Sequence, residues 1–488
     1  MNLARRLVLS AFCALLLISV AGAAAFQDDL HGRRERLMQL LTPESILILW
    51  SAPERVYSGD VNYPYRQDSN FFYLTGIEQP DSIVVILPGN KTQKEFLFIR
   101  PRDAVREHWE GHSLSTDEAV QLSGIKSVYE TRDFEPFIGA ILSGKPYEKD
   151  SAASAADYEG FFSALKNNNA QIAVVGPPPG TSGVTPASYA YVNKLRERYS
   201  GFQMRDVTTL FGRLRLIKTD YEQKMLAESA RISAEAHREG MKVARPNVWE
   251  YQVQAAMEYV FKKDGAIGWG YPSIVASGPN ATTLHYEAST RQMKDGDLLL
   301  VDAAANYDYL TTDITRTYPI NGKFTPAQKD IYEIVLRAQN EAIKVAVKGA
   351  TLGEINAKTV EVIKDGLFKL GLITDTKGQQ YSIWYTHSSS HWIGIDVHDV
   401  GERNARLADG MAFTIEPGIY IRQEALDNLA KTPENQAFIQ KVQSTVDKYK
   451  DIGVRIEDSF VMSDGRAKSI SVGIPRTVEE IEAFMKTR

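Results

Sequence analysis

Four short apolar runs punctuate the first two hundred positions: SILILW from 45, SIVVILP from 82, EFLFIRP from 95 and QIAVVGPP from 171. Each is too short for a helix and is bounded by charged residues, Pro or Gly, so each predicts a buried strand. Helical patterns over 33–41 and 157–166 alternate with them, and strands alternating with helices predict an α/β domain. SAASAA from 151 and the Pro/Gly/Ser-rich stretch from Pro177 to Thr185 read as loops. Beyond about 210 the pattern changes. Thr219 followed by Glu222 is a capping box that opens a long helix to about Val243, with Met225, Ile232, Ala236 and Val243 on its packed face. A second helix follows over 249–263, then strands, helices over 326–347 and 352–370, and strands again. Helices followed by antiparallel strands, twice over, predict an α+β domain.

The segment from Asp297 to Thr317, DLLLVDAAANYDYLTTDITRT, breaks its own hydrophobic pattern. Asp302 follows four aliphatic residues and Asp313 precedes Ile314, where an unpaired carboxylate is costly and needs an Arg or a metal. The polar turn from Asn306 to Tyr309 folds the second strand back beside the first and brings both carboxylates together. His391, Glu416 and Glu457 sit in similar apolar or turn-flanked settings further on. Two Asp, two Glu and one His form a hard, oxygen-rich set suited to paired divalent ions such as Mn²⁺, Zn²⁺ or Co²⁺. Arg316 and Arg455 lie close to Asp313 and Glu457 in the chain, so ordinary salt bridges are the competing account. His398 follows His391 by seven positions in IDVHDV, and on an alternating strand that odd spacing puts the two rings on opposite faces.

Size and charge narrow the picture further. A chain of 488 residues exceeds one hydrophobic core, and a net charge of −5 without blocks of like charge gives no sign of nucleic-acid binding. Arg5 and Arg6 precede an apolar run ending in AGAAAF, the pattern of a cleaved export signal over 1–25. The single cysteine, Cys13, falls inside it, so the mature chain is expected to be thiol-free, exported to the periplasm or medium, and without a membrane anchor. The remaining divisions are an N-terminal domain over 26–210 and a catalytic domain over 211–488.

Six stretches together carry a family resemblance: LHYEAST from 284, LLLVDAA from 298, TTDITRTYPINGKFT from 311, HSSSHWIGIDVHDVG from 387, FTIEPGIYI from 413 and VRIED from 454. In this order and spacing they resemble aminopeptidase P, the Xaa-Pro aminopeptidases, of the superfamily that includes prolidase and methionine aminopeptidase. YRQDSNFFYLTGIEQPDS from 65 and RDAVREHWEG from 102 extend the likeness to the N-terminal domain. The resemblance implies a pseudo-two-fold pita-bread catalytic domain after a creatinase-type α/β domain. It implies two divalent ions, Mn²⁺ foremost, held by Asp302, Asp313, His391, Glu416 and Glu457, with a bridging hydroxide as nucleophile and Glu416 as its base. It further implies that His398 binds substrate and steadies the oxyanion, that His285 and His387 line the proline pocket, and that Arg455 and Tyr420 orient the carboxylates and contact substrate. Trp109 matches a residue that borders a neighbouring subunit's site in oligomeric members, so a homodimer or homotetramer acting on proline-containing peptides is expected. Ala304 and Ser388 replace glycines common in the family. The segment 421–453, longer than in bacterial relatives, has its own helix signals at Thr432 and Pro433 and reads as a surface excursion.

Three functions are compatible with this reading. The first is a peptidase that removes the residue before a penultimate proline. The second is a prolidase restricted to Xaa-Pro dipeptides, and the third is a non-catalytic binding module on the same fold. Retention of all five ligand types argues against the third.

Overall fold

The computed structural model describes residues 24–149, 155–177 and 185–488. The predicted export signal lies outside the described residues except for 24 and 25, as do the loop over 151–154 and the middle of the Pro177 loop. No helix among the described residues is long and apolar enough to cross a membrane. By internal contacts the chain forms two units, Met1–Leu214 and Arg215–Arg488.

The first unit is built on a mixed six-stranded sheet. All four predicted strands are present, as Ser45–Trp50, Ile83–Ile86, Glu95–Ile99 and Ala170–Val174. Ser45–Trp50 pairs antiparallel with Ile83–Ile86 and parallel with Ala170–Val174, so these interior strands are covered on both faces and read as continuous apolar runs. Ser127–Glu130 and Phe202–Asp206 close the two edges. Being half exposed, they carry polar residues and leave no apolar run in the sequence. Among the described residues the first helix covers 24–40, where 33–41 was predicted, and its packed face includes two buried arginines. Arg34 donates to the carbonyls of Leu74 and Ser123 at 2.8 and 3.1 Å and pairs with Glu95 at 3.0 Å.

In the second unit a pair of helices followed by antiparallel strands occurs twice. Asp220–Val243 and Glu250–Lys263 precede the sheet Ile274–Ser277, Leu298–Asp302, Thr315–Pro319. Pro326–Val345 and Leu352–Leu370 precede the sheet Ala412–Ile415, Asp458–Ser463, Arg466–Ser469 and the ribbon Gly418–Ile421/Ile452–Arg455. The halves are stitched where Thr317 Oγ1 donates to the Arg455 carbonyl at 2.9 Å and the Glu457 amide donates to the Thr315 carbonyl at 3.1 Å.

Thr219 caps the first long helix in a capping box with Glu222, as predicted. Its inner face differs from the expectation: Met225 and Val243 are only half buried, whereas Ser229, Ser233 and His237 are fully buried. These polar side chains hold the chain just beyond Asp302. Ser229 Oγ donates to the Ala305 carbonyl at 2.7 Å, the Ala305 amide donates to Ser233 Oγ at 2.9 Å, and His237 lies 3.0 Å from the Ala303 carbonyl. The 421–453 excursion contains the helix Pro433–Tyr449, capped by Thr432. One face, with Phe438, Val442, Val446 and Tyr449, is buried, and Tyr449 donates to Asp330 at 2.7 Å. The excursion is therefore docked on the domain.

Candidate metal centre

Each half of the second unit delivers two carboxylates in the same way, one at the end of a strand and one just before its antiparallel partner. Asp302 ends Leu298–Asp302 and faces Thr315 in the register, with Asp313 two residues before Thr315. Glu416 follows Ala412–Ile415, and Glu457 immediately precedes Asp458–Ser463. Between Asp302 and Asp313 the chain makes an extra hairpin, Ala305–Tyr307 against Leu310–Thr311, whose two turn residues Asp308 and Tyr309 have φ of 50° and 65°. Positive φ at both turn residues is what a tight two-residue hairpin requires, since such a turn matches the right-handed twist of its strands. Asp313 is fixed by Ser459, whose Oγ accepts from the Asp313 amide at 2.9 Å and donates to its carbonyl at 2.8 Å.

The five predicted ligands converge. Their donor atoms form two triads, Asp302/Asp313/Glu457 and His391/Glu416/Glu457, within each of which the atoms lie inside 4.8 Å of one another. A third such triad, Asp313/His391/His398, overlaps them. His391 Nε2 lies 3.3 Å from Asp313, 3.5 Å from Glu416 and 3.9 Å from Glu457. Its Nδ1 sits 3.0 Å from the Trp392 carbonyl, which directs Nε2 into the cluster.

The expected strands carrying His391 and His398 are absent. Apart from one bridge between Trp392 and Phe413, the segment 391–400 is irregular. The alternation argument therefore does not apply, and the two rings meet edge to face with centroids 4.4 Å apart.

The neighbouring arginines do not neutralise the carboxylates beside them in sequence. Arg316 donates to Asp458 at 2.7 Å, and Arg455 reaches across the halves to Asp302 at 2.5 Å. Arg455 also donates to Thr315 Oγ1 at 3.0 Å and to the Tyr420 hydroxyl at 3.0 Å. Thr315 in turn donates to Glu457 at 2.7 Å, and His387 Nε2 lies 2.8 Å from the Tyr420 hydroxyl. Tyr271, which no sequence signal distinguished from an ordinary aromatic, donates to Asp302 at 2.6 Å.

Electrostatics separate the carboxylates. Burial works against the charged form of Asp302, but Arg455 and the Tyr271 hydroxyl outweigh it and hold the group below the usual carboxylate range. Burial, then the Asp302 charge, pushes Asp313 up to about 6. Burial, aided by Asp313 and opposed by His391, pushes Glu416 up to about 7. Glu457 is driven well above its usual value by burial and by Asp313 and Glu416. Burial disfavours charge on His391, yet Asp313 and Glu416 raise it to about 9. Asp313 Oδ1 and Glu457 Oε1 are buried without a hydrogen-bond partner. Buried acids that repel one another, with oxygen lone pairs left unused, fit dications at this point: the ions supply the missing positive charge and take up the free oxygens.

A cavity of about 250 Å³ opens onto the cluster. Besides the five ligands it is lined by Leu284, His285, His387, Ser388, His398 and Arg455. His285 and His398 are exposed at this opening, His387 is half buried, and Tyr420 stands behind His387. Trp109 belongs to the first unit, in the helix Ala104–Glu110, with 81% of its surface exposed.

Paired oxygen-rich ligand triads between two like halves, with histidines around an open cavity, define the catalytic domain of a metallohydrolase. Residues 224–464 match the model of metallopeptidase family M24, and residues 30–148 match the aminopeptidase P N-terminal domain. The chain is 34% identical to a Xaa-Pro aminopeptidase of Haemophilus influenzae, over 94% of this chain and 97% of that protein. It is 31% identical to the Escherichia coli Xaa-Pro aminopeptidase, over 94% and 98%. Among solved structures, a Pseudomonas aeruginosa aminopeptidase superposes with a TM-score of 0.78 at 33% identity, covering 94% of this chain and 98% of that one. E. coli aminopeptidase P with the inhibitor Pro-Leu superposes with a TM-score of 0.77 at 30% identity, with the same coverage. The chain belongs to the aminopeptidase P branch of metallopeptidase family M24. It is a hydrolase that depends on divalent metal ions, and its fold is the pita-bread domain behind an aminopeptidase P N-terminal domain.

Proposed function

We propose that the protein is a dinuclear Xaa-Pro aminopeptidase that removes the N-terminal residue from peptides with proline in second place. The observation that carries this reading is the convergence of Asp302, Asp313, His391, Glu416 and Glu457 on one cavity, with two buried carboxylate oxygens that accept no hydrogen bond. Asp302 and Asp313 would hold one ion and Asp313, His391 and Glu416 the other, with Glu457 within reach of both. When bound, such ions lower the pKa of water and polarise a carbonyl, chemistry that cleaves an amide near neutral pH. The oxygen-rich donors favour Mn²⁺, with Zn²⁺ and Co²⁺ as the alternatives.

The chain's own groups do the rest. Glu416 accepts the proton of the attacking water at a carboxylate oxygen facing the cavity and returns it to the proline nitrogen as the amide bond breaks. His398, at the opening, donates to the oxygen on which charge develops. His285 and His387 flank the proline ring. Because a Xaa-Pro bond carries no N–H, these histidines recognise the ring and not an amide hydrogen. Arg455 and Tyr420 keep Asp302 and His387 in place through the bonds described above, and all four line or back the substrate pocket. The protein acts after export and removal of residues 1–25. It assembles as a homodimer or homotetramer in which Trp109 borders a neighbouring copy's site.

The test is hydrolysis of a Xaa-Pro-Yaa tripeptide against the Xaa-Pro dipeptide, after chelation and after reloading with Mn²⁺, Zn²⁺ or Co²⁺. Release of the first residue from the tripeptide, lost on chelation and restored best by Mn²⁺, is the expected result. Cleavage of the dipeptide alone makes the protein a prolidase, and no hydrolysis with any of the three metals overturns the reading.

A further inference from the structure

The loop that carries His398 has no regular structure to fix it. Its anchor is the next residue. The Asp399 side chain is 1% exposed, and its carboxylate accepts from Arg215 through Oδ1 and from the Lys218 ammonium through Oδ2, the latter at 2.9 Å. Both cations are as deeply buried, at 2% and 1% exposure. Arg215 also donates to Asp396 in the same loop at 2.6 Å, and Lys218 donates to the Arg215 carbonyl. The segment supplying these cations is itself tied to the catalytic sheet: Ile217 bridges to Met411, and the Lys218 amide donates to the Gly410 carbonyl at 2.8 Å.

The backbone folds around this cluster. The Asp399 amide donates to the Trp392 carbonyl at 2.9 Å, which closes the loop immediately after His391, and the Thr311 amide donates to the Gly394 carbonyl at 2.8 Å. Gly394 has no room for a side chain, since a Cβ there would lie 2.1 Å from Asp399 Oδ2 and 3.0 Å from Lys218 Cε. Charges this deeply buried are costly to bring out of water, and breaking one of a compensated set leaves the others stranded. The two buried cations on the buried Asp399, with the partly exposed Asp396 as a further acceptor, therefore lock one geometry of the loop, and that geometry sets the His398 ring edge-on against His391.

We propose that Arg215, Lys218 and Asp399 are positioning residues that hold the His398 loop at the metal centre, so that the ion cluster acts on the reaction through His398. The inference rests on the catalytic part given above to His398. Asp399→Asn lets the loop shift and removes none of the five proposed ligands. A displacement of about 1 Å is enough to cost roughly 10- to 100-fold in rate.

The experiment is a double-mutant cycle of Asp399→Asn and His398→Ala in the full-length, metal-loaded protein, followed by tripeptide hydrolysis and bound metal per chain. The expected result has three parts: His398→Ala lowers kcat, Asp399→Asn lowers kcat about 10- to 100-fold with KM and metal content little changed, and the double variant is no slower than His398→Ala. If Asp399→Asn does not accumulate as folded protein, Lys218→Met/Asp399→Asn removes one stranded cation and takes its place in the cycle. Effects that multiply in the double variant, or an Asp399→Asn enzyme with unchanged kcat, overturn the positioning role while leaving the peptidase reading intact. An unchanged kcat in His398→Ala overturns the role of His398 and the positioning inference with it.

Discussion

Asp302 and Glu457 show how differently two carboxylates of one centre are prepared. Asp302 is held ionised by a guanidinium and a phenol, while Glu457 has one oxygen on Thr315 and the other without a hydrogen bond, 3.9 Å from His391 Nε2. Arg455→Met should therefore act mainly through Asp302, weakening metal affinity by about 10- to 100-fold in a direct metal titration. The acids also make the metal-free protein pH-sensitive. Asp313 rises from 3.8 to about 6 and Glu416 from 4.5 to about 7, so the folded state binds more protons than the unfolded one across that window and loses stability as pH rises. His391, raised from 6.5 to about 9, contributes stability that is complete below 6.5 and lost as pH climbs to 9, the same direction. The depressed Asp302 acts oppositely, but its contribution is already complete above its usual 3.8. Between pH 4 and 6.5 these acids are opposed by His237, His387 and His398, each lowered to about 4 by burial, so the melting temperature of chelated protein should fall from about pH 6.5 to pH 9. Metal-loaded protein should show a flatter profile, because the dications hold the carboxylates ionised throughout. Equal slopes with and without metal would exclude the ligand cluster as the source.

At the scale of elements, what the sequence disclosed depended on how regular the backbone is. Interior strands such as Ser45–Trp50 and capped helices such as Asp220–Val243 are written in local pattern, because burial and capping act on neighbouring residues. The edge strands Ser127–Glu130 and Phe202–Asp206 were hidden by their polar faces. The five proposed ligands were legible as polar residues in apolar settings. Tyr271 and the Asp399 cluster were not, since their partners lie 31 and about 180 positions away and only the fold brings them together. His398 was misread from pattern because its segment is a pinned loop and not a strand. Gly453 illustrates a constraint of the same long-range kind. In the strand that carries Arg455, a Cβ on Gly453 would lie 2.0 Å from the Ala281 carbonyl oxygen, backbone against backbone. Gly453→Ala should cost about 1–3 kcal/mol in denaturant unfolding and lower activity by moving Arg455. Unchanged stability would mean that the turn 278–282 yields freely.

For the whole molecule, the division into two units assigns metal linkage to one of them. Every proposed ligand lies in Arg215–Arg488, whose core includes Val301, Ile419, Val454 and Ile456. Met1–Leu214 has a separate core around Ile48, Val85, Phe96 and Phe98. A ligand that binds only the folded state stabilises it by mass action, about 2.7 kcal/mol when free metal is one hundred times Kd, roughly a hundredfold in the opening equilibrium. That linkage reaches only amides whose opening dismantles the site. Hydrogen exchange of chelated and metal-loaded protein should therefore differ by up to about a hundredfold in Leu298–Asp302, Thr315–Pro319 and Ile452–Arg455, which frame the ligands. Exchange in Ser45–Trp50, Ile83–Ile86 and Glu95–Ile99 should be unaffected. Equal slowing in both sets of strands would show that the two units unfold as one, and slowing in neither would remove the ions from the centre.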